Sequence, residues 1–333
     1  MIKMDIKQFS MLRLIGKGAY GQVFLAKKKD TNKVYAIKTL KKKEIDKKKQ
    51  AQHVMMEKTI LNQAKHQFIV SLSYTFQSDK HFYFVLEYCA GGDLFSLLRV
   101  KRKLKEEQIQ FYAILIIHAL QFLHTQKIIY REQIWNFMYS LKPENVLIDE
   151  KGYIKLTDFG LSKILLQEKA DSIVGTPEYL APEILNKNGD GYDYKVDCWS
   201  LGCLLYEMIA EQPPFISEQR DQLIKLIKIK QPEFNFPISN ELKDLIICLL
   251  QKDPKQRPSL IEVKEFPFFK NVEDWQSYLS YKIIPPFLPV IHGPEDVSNF
   301  DPEFTQQEQF GSPSDGSNSD NKFPGFSGNN SQQ

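Results

Sequence analysis

Wound into a helix, the stretch VDCWSLGCLLYEMIA at residues 196–210 is apolar on nearly every side. A helix without a polar face must be surrounded by protein, so the chain has to build a domain large enough to enclose it. Its 333 residues suffice for one large domain or two ordinary ones. At 42% hydrophobic and 26% charged residues, the composition excludes general disorder and a small disulfide-held scaffold. The most apolar run, Ala113 to Leu123, is too short to cross a bilayer, and the start MIKMDIKQFS has no apolar signal core. A cytoplasmic protein with no membrane segment is expected, with nuclear access open to it.

Cys89, Cys198, Cys203 and Cys248 lie in apolar surroundings without a Cys-x-x-Cys pair, which reads as buried free thiols. The formal charge of +3 is too small to call for a nucleic-acid partner, and none is expected. The charge is uneven, however. Lys38 to Lys49 carries seven lysines, whereas Asp301 to Gln333 holds five acids and one lysine. The lysine run is either a solvated helix face or a receiver of phosphate.

Pattern divides the chain into three. Residues 9 to about 90 contain short β-branched and aromatic runs (FSMLRLIGKG, QVFLAKKK, KVYAIKTL, FIVSLSYTFQ, HFYFVLEY) interrupted by one helical stretch from about Lys43 to Gln63. From about Asp93 to Phe269 helical periodicity dominates, as in Ile109, Tyr112, Leu115, Ile116, Ala119, Leu120 and Leu123. A Pro-rich extended segment follows, then a Gly/Ser/Asn/Gln tail from Gln309 that is too polar to fold alone.

Gly16-Lys17-Gly18-Ala19-Tyr20-Gly21-Gln22-Val23 is a weak signal by itself, because the dinucleotide-binding turn has the same spacing. Context separates the two readings: the dinucleotide form runs from strand into helix, and here QVFLA is a second strand. A glycine hairpin lets backbone drape over a nucleotide's phosphates. In the later strand Tyr35-Ala36-Ile37-Lys38, alternation puts Ala36 and Lys38 on one side. A small residue able to admit a purine and an ammonium suited to phosphates would then share a cleft.

Downstream stand Leu141-Lys142-Pro143-Glu144-Asn145-Val146-Leu147, Asp158-Phe159-Gly160 and Ala181-Pro182-Glu183. In this order and spacing the set resembles the protein-kinase signature. More narrowly it is similar to the AGC group of serine/threonine kinases, nearest the serum/glucocorticoid-regulated and ribosomal-S6 kinases, through GTPEYLAPE, YCAGGDLF and PPFLPVIHGPEDVSNFDPEFT. The resemblance implies an α+β, bilobal protein-kinase fold: a small antiparallel β-sheet lobe with one key helix (9–87) and a larger, mainly helical lobe (91–269). Residues 1–8 would be a short extension and 270–333 a C-terminal regulatory tail.

The implied activity is ATP-dependent phosphorylation of protein Ser/Thr hydroxyls, with ATP and Mg2+ as cofactors. Phosphoryl transfer needs positioning and charge neutralisation more than covalent help. On this resemblance the nucleotide is held by Ile15, Gly16, Lys17, Gly18, Ala19, Tyr20, Gly21, Val23, Ala36 and Leu147, with Glu87 and Cys89 offering hinge backbone and Leu86 controlling depth. Lys38 would hold phosphates and pair with Glu57. Asn145 and Asp158 would supply hard oxygens to Mg2+, and Lys142 would stabilise charge on the transferred group. Glu183, Arg257 and Asp197 read as scaffold.

One piece departs from the pattern. The resemblance requires Tyr-Arg-Asp-Leu-Lys-Pro-Glu-Asn, whose Asp accepts the substrate proton. This chain reads Tyr130-Arg131, then nine residues from Glu132 to Ser140, then Leu141-Lys142. Glu132 is a poor stand-in, since its side chain is longer and its downstream tether is broken. Two readings follow: an enzyme whose coding sequence retains an intron, or an ATP-binding pseudokinase acting as an interaction module. We favour the first. With Glu132 as GAG, Gln133 as TAA in a code that reads this triplet as glutamine, and Ser140 as AGT or AGC, the excess runs GTAA…AG. Its removal leaves an aspartate codon. The 38 lysines against six arginines suit AT-rich coding.

Regulation is implied by the same resemblance. Ser172 matches the activation-loop phosphosite, with Arg131 and His53 as phosphate contacts. Phe323 and Phe326 match a hydrophobic motif ending in phosphosite Ser327, which would dock beside the Glu57 helix. Ser312 matches a further tail site, and the lysines at 41–49 would receive these phosphates. Asp93 and Glu144 match acids that face an arginine three residues before the acceptor, so basophilic substrates are expected. The expected partners are protein substrates and an upstream activating kinase, for a monomeric enzyme without lipid or second-messenger control.

Overall fold

The computed structural model describes residues 4–18, 21–47, 51–130, 133–134, 137–138, 141–159, 163–164, 177–185, 192–307 and 325–329. The β-branched and aromatic runs form β1 (Phe9–Lys17), β2 (Gly21–Lys28), β3 (Val34–Lys41), β4 (Leu72–Gln77) and β5 (His81–Leu86). Shorter strands follow: β6 (Ile128–Ile129), β7 (Gln133–Ile134), β8 (Phe137–Met138), β9 (Val146–Ile148), β10 (Ile154–Leu156), β11 (Lys163–Ile164) and β12 (Gly328–Asn329). The main sheet is antiparallel in the order β1-β2-β3-β5-β4-β12, so a tail strand completes its edge.

The fourth strand starts later than its apolar run suggests. Phe68, Ile69 and Val70 are buried, but Val70 N donates to Leu156 O at 2.9 Å and Ile69 bridges Leu156. These residues therefore bind the two lobes together instead of extending the sheet. The helical stretch of the small lobe is described as α1 (Lys42–Lys47) and α2 (Ala51–Gln63). The face of α2 turned to the sheet buries Val54, Ile60 and Leu61 together with Glu57, a charged residue in an apolar row.

Beyond the hinge come α3 (Leu94–Lys101), α4 (Glu106–Thr125), α5 (Lys195–Ala210), α6 (Arg220–Ile229) and α7 (Asn240–Leu249). Asp93 caps α3 by accepting from Ser96 N at 2.7 Å. Every residue of α5 from Val196 to Ile209 is buried, as its apolar sequence requires. The fold is α+β, with an antiparallel small lobe and a helical large lobe. No described helix is long and apolar enough to cross a membrane. Cys89, Cys198 and Cys203 are buried and Cys248 is half-buried, all as free thiols.

The segment after residue 281 crosses the hinge as a strap. Tyr88 stacks on Phe300 at 5.6 Å, and Asn299 Nδ2 donates to Ala90 O at 3.0 Å. A Cβ on Gly92, whose φ is 77°, would fall 2.2 Å from Asn299 O, so only glycine admits the strap here. Lys27 of β2 pairs with Glu295 at 2.6 Å and Arg99 of α3 with Asp301 at 2.7 Å, so the strap touches both lobes. These partly exposed pairs set its register more than they add stability.

Where α4 meets the inter-lobe contact, burial pushes His66 and His118 down to about 4. The His118 ring and then Lys155 act in the same direction on His66, and Lys264 does so on His118, where the hydrogen bond to Trp275 O opposes the fall. Both rings fold as neutral imidazoles. The unfolded chain therefore binds more protons between about pH 6.5 and 4, and stability falls as pH is lowered through that window. Urea midpoints should drop from pH 7.5 to 5, and less steeply in a His66→Leu/His118→Gln double variant. Parallel pH profiles for the two proteins would refute this assignment.

Candidate active site

The β1–β2 hairpin places the glycines, with Gly18 N donating to Gly21 O at 2.9 Å and Gly16 opposite Val23. Gly21 is required by the fold, because a Cβ there would fall 1.6 Å from Thr39 O. Gly16 and Gly18 are different: among the described residues a Cβ on either meets nothing closer than 3.8 Å, and neither has a left-handed φ. The protein's own packing leaves them free to be other residues, so their missing side chains serve whatever lies against the hairpin. Ala19 and Tyr20 lie outside the described residues.

The register sets Lys38 opposite Val23 and Ala36 opposite both Leu25 and Leu86. Val23, Ala36 and Lys38 therefore share one face of the sheet. Val23, Ala36 and Leu147 are half-buried, and Ile15 is buried. At the hinge Cys89 is buried, while the Glu87 carboxylate accepts from Ser71 N at 3.0 Å and pairs with Lys155 at 3.0 Å. The Glu87 side chain is thus committed to scaffold, and its N–H donates to Ser71 O at 3.0 Å, which leaves its carbonyl as the part available to a ligand.

Lys38 Nζ lies 2.7 Å from Glu57 Oε1 and 3.0 Å from Asp158 Oδ1, joining β3, α2 and the segment after β10. Burial raises the pKa of Glu57, with Lys38 opposing and Asp158 reinforcing the rise. Asp158 has a φ of 63°, and Phe159 beside it is fully buried, edge-on to Tyr130 at 5.3 Å. Asn145 is buried, and its carbonyl accepts from Thr157 N at 3.0 Å, which ties it to the residue before Asp158. Lys142 Nζ stands 3.6 Å from Glu144. One amide and one carboxylate, without thiolate or imidazole, form a donor set suited to a hard divalent cation.

Residues 9–269 match the family described as protein kinase domain, and residues 291–327 match the protein kinase C terminal domain. The chain belongs to the protein kinase family. It is an AGC-group kinase similar to the serum/glucocorticoid-regulated enzymes. It is 42% identical over 308 residues to the serine/threonine-protein kinase Sgk2 of Homo sapiens, covering 90% of this chain and 80% of that one. Identity is 42% over 306 residues to Sgk1 of Homo sapiens, covering 90% and 68%. A RAC family serine/threonine-protein kinase homolog of Dictyostelium discoideum is 40% identical over 311 residues, covering 92% and 67%.

In this kinase the interruption of the catalytic loop forms the β7–β8 hairpin, pairing Gln133 with Met138 and Ile134 with Phe137. Glu132 lies outside the described residues, as do Arg131, Ser172, Ser312 and Phe323. Next to the interruption, Asp197 is fully buried. Its Oδ2 accepts from Tyr130 N at 3.0 Å and from His124 Nε2 at 2.8 Å, while Oδ1 has no partner among the described residues. A buried carboxylate oxygen without a donor is costly. It lies where the chain turns from Tyr130 into the insertion.

Two features of the kinase escape sequence reasoning. Glu207 of α5 is buried, accepts from the Tyr179 hydroxyl, and is pushed up to about 7 by burial first and then by Glu144 and Glu178. Glu144 also raises Asp93, after burial, so these acids share one region. The available signal was Glu207 itself, an acid within an otherwise apolar helix. The second is Lys58. Phe326 is fully buried against Phe82 at 4.6 Å and Phe84 at 5.3 Å, and Thr75 Oγ1 donates to its carbonyl at 2.7 Å. Lys58 Nζ donates to Gly325 O and lies 3.9 Å from where a Cβ on Gly328 would sit. Its contacts thus fall on both sides of exposed Ser327, while Lys42 of the lysine run bonds Gln77 at 2.8 Å.

Proposed function

We propose that this kinase transfers the terminal phosphate of ATP to serine and threonine hydroxyls of basic protein substrates. The observation that carries the reading is Lys38 held between Glu57 and Asp158, with hairpin glycines Gly16 and Gly18 whose side-chain space no described residue fills. Lys38 would hold the nucleotide's phosphates, and Ile15, Val23, Ala36 and Leu147 its base. Asp158 and Asn145 would hold Mg2+, which when bound neutralises phosphate charge. Lys142 adds positive charge beside the acceptor position. The relatives named above are kinases by name, which weighs against the pseudokinase reading that the interrupted catalytic loop raises. The test is transfer of labelled phosphate to Ser/Thr peptides by the chain carrying one Asp in place of Glu132–Ser140. Absence of phosphoserine and phosphothreonine with ATP and Mg2+ present would refute it.

Asp93, Glu144, Glu178 and Glu207 support a preference for basic peptides. Replacing an arginine three residues before the acceptor by alanine should raise KM about tenfold. Equal KM values for the two peptides would remove the basophilic assignment. Since Glu207 ionises near pH 7, the preference should strengthen from pH 6 to 8.

We further propose domain boundaries at 9–269 and 270–333, with the tail activating the catalytic unit by docking Phe326 beside α2. An upstream kinase would phosphorylate Ser172 and Ser327, and Lys58 would receive the second phosphate. The activity depends on intracellular ATP, which supports a cytoplasmic enzyme. Phe326→Ala should lower kcat about tenfold with little change in peptide KM, because it empties a pocket against the sheet carrying Lys38. An unchanged kcat in Ser327-phosphorylated protein would rule out the docking model.

A further inference from the structure

From Lys282 to Val290 the strap is neither helix nor strand, yet its exposure alternates. The odd positions from Ile283 to Pro289 are buried or half-buried, and the even positions from Lys282 to Val290 are exposed. Beyond Lys282 every exposed position is apolar: Ile284, Leu288 and Val290 are 83%, 60% and 66% exposed, with Pro286 between them. This row is pinned to the large lobe. Ile283 O accepts from the Tyr153 hydroxyl, Val290 O accepts from Asn299 Nδ2 at 3.0 Å, and a Cβ on Gly152 would fall 2.1 Å from Phe287 O. With the backbone fixed at these points, the aliphatic side chains are held out into water. Single exposed apolar residues are ordinary, but a row of them rimmed by polar groups marks a surface that meets something else.

The rim is cationic. Lys282 heads the row, Lys101 Nζ lies 5.8 Å from the centre of the Phe287 ring, and Lys151 Nζ lies 5.2 Å from that of Tyr281. All three lysines are exposed. Of the acids nearby, Asp149 is engaged by Lys151 N and Tyr153 N, and Asp274 by Gln276 N and the Ser277 hydroxyl. Glu150, next to Lys151, is exposed and opposes the rim. Pro286 and Pro289 have the spacing of a ligand for an aromatic-lined groove, but Pro289 is buried and cannot enter one. Fixed aliphatic side chains among lysines match instead the boundary of an anionic bilayer, where apolar groups reach the acyl region and ammoniums meet headgroup charge. Such a contact needs neither a spanning helix nor an acyl chain.

We propose that the strap from Lys282 to Val290 is a membrane-contact face, which docks reversibly on anionic lipid through Ile284, Leu288 and Val290 with Lys101, Lys151 and Lys282 around them. The full chain should co-sediment with vesicles of phosphatidylcholine and phosphatidylserine, and at least about tenfold more weakly with phosphatidylcholine alone. Ile284→Ser/Leu288→Ser should weaken the binding about tenfold. Lys101→Gln/Lys151→Gln/Lys282→Gln should weaken it about 100-fold, at about fivefold per charge. These side chains are exposed, so the thermal midpoint should not move in either variant. Absence of binding to the anionic vesicles, or equal binding to both kinds, would overturn the assignment. Binding that Ile284→Ser/Leu288→Ser leaves unchanged would place the contact on other lysines and reject it too. A dimer in sedimentation velocity that the same substitutions dissociate, without vesicle binding, would give the row to a second copy of the chain instead.

Discussion

Replacing Glu132–Ser140 by a single Asp is expected to raise peptide phosphorylation about 10²–10⁴-fold, the usual contribution of a positioned general base. Among the described residues, Lys38 is paired, Asn145 is tied to the residue before Asp158, and Tyr130 is anchored by Asp197. Within the insertion the β7–β8 hairpin pairs Gln133 with Met138 and Ile134 with Phe137. A cDNA retaining all nine codons, or a shortened protein no more active than the long one, would sink the retained-intron reading.

The second large effect concerns Lys38. Lys38→Met should reduce transfer about 10²–10³-fold, the scale for losing a donor aimed at developing charge. It should also destabilise the small lobe by up to about 3 kcal/mol. Glu57 is buried to 3% exposure and its pKa is already raised, so without the ammonium it would fold protonated. Stability of the variant should then rise as pH falls toward 5, because the unfolded glutamate stays ionised to lower pH and the penalty lies in neutralising it. Adding Glu57→Gln should restore most of the stability and none of the activity. If the double variant is no more stable than Lys38→Met alone, Glu57 is not the group left uncompensated.

Sequence carries the parts of this site in which chemistry and local geometry coincide. Lys38 and Ala36 fall on one side by alternation, and Glu57 interrupts the apolar row of α2. The helix at 196–210 declares its burial by lacking a polar face. What could not be read depends on meetings between distant segments. Lys58 reaches Gly325 across 267 residues of chain, and neither carries a periodic signal of the encounter. Phe68 to Val70 read as strand because an apolar run has the same composition whether it pairs in a sheet or fills the seam between lobes. Glu207 was hidden by its surroundings: one acid does little to the pattern of a helix otherwise built for the interior.

The short strand β12 has a consequence for solubility. Its pairing of Gly328 with Thr75 and Asn329 with Tyr74 occupies the outer edge of β4. Without it, that edge presents unpaired N–H and C=O groups on a strand rich in aromatic and β-branched residues, a template for pairing with another chain. A chain truncated before Gly325 would also uncover Phe82 and Phe84, which Phe326 now covers. The tail thus protects the small lobe from self-association, and shortened versions should precipitate at concentrations the full chain tolerates.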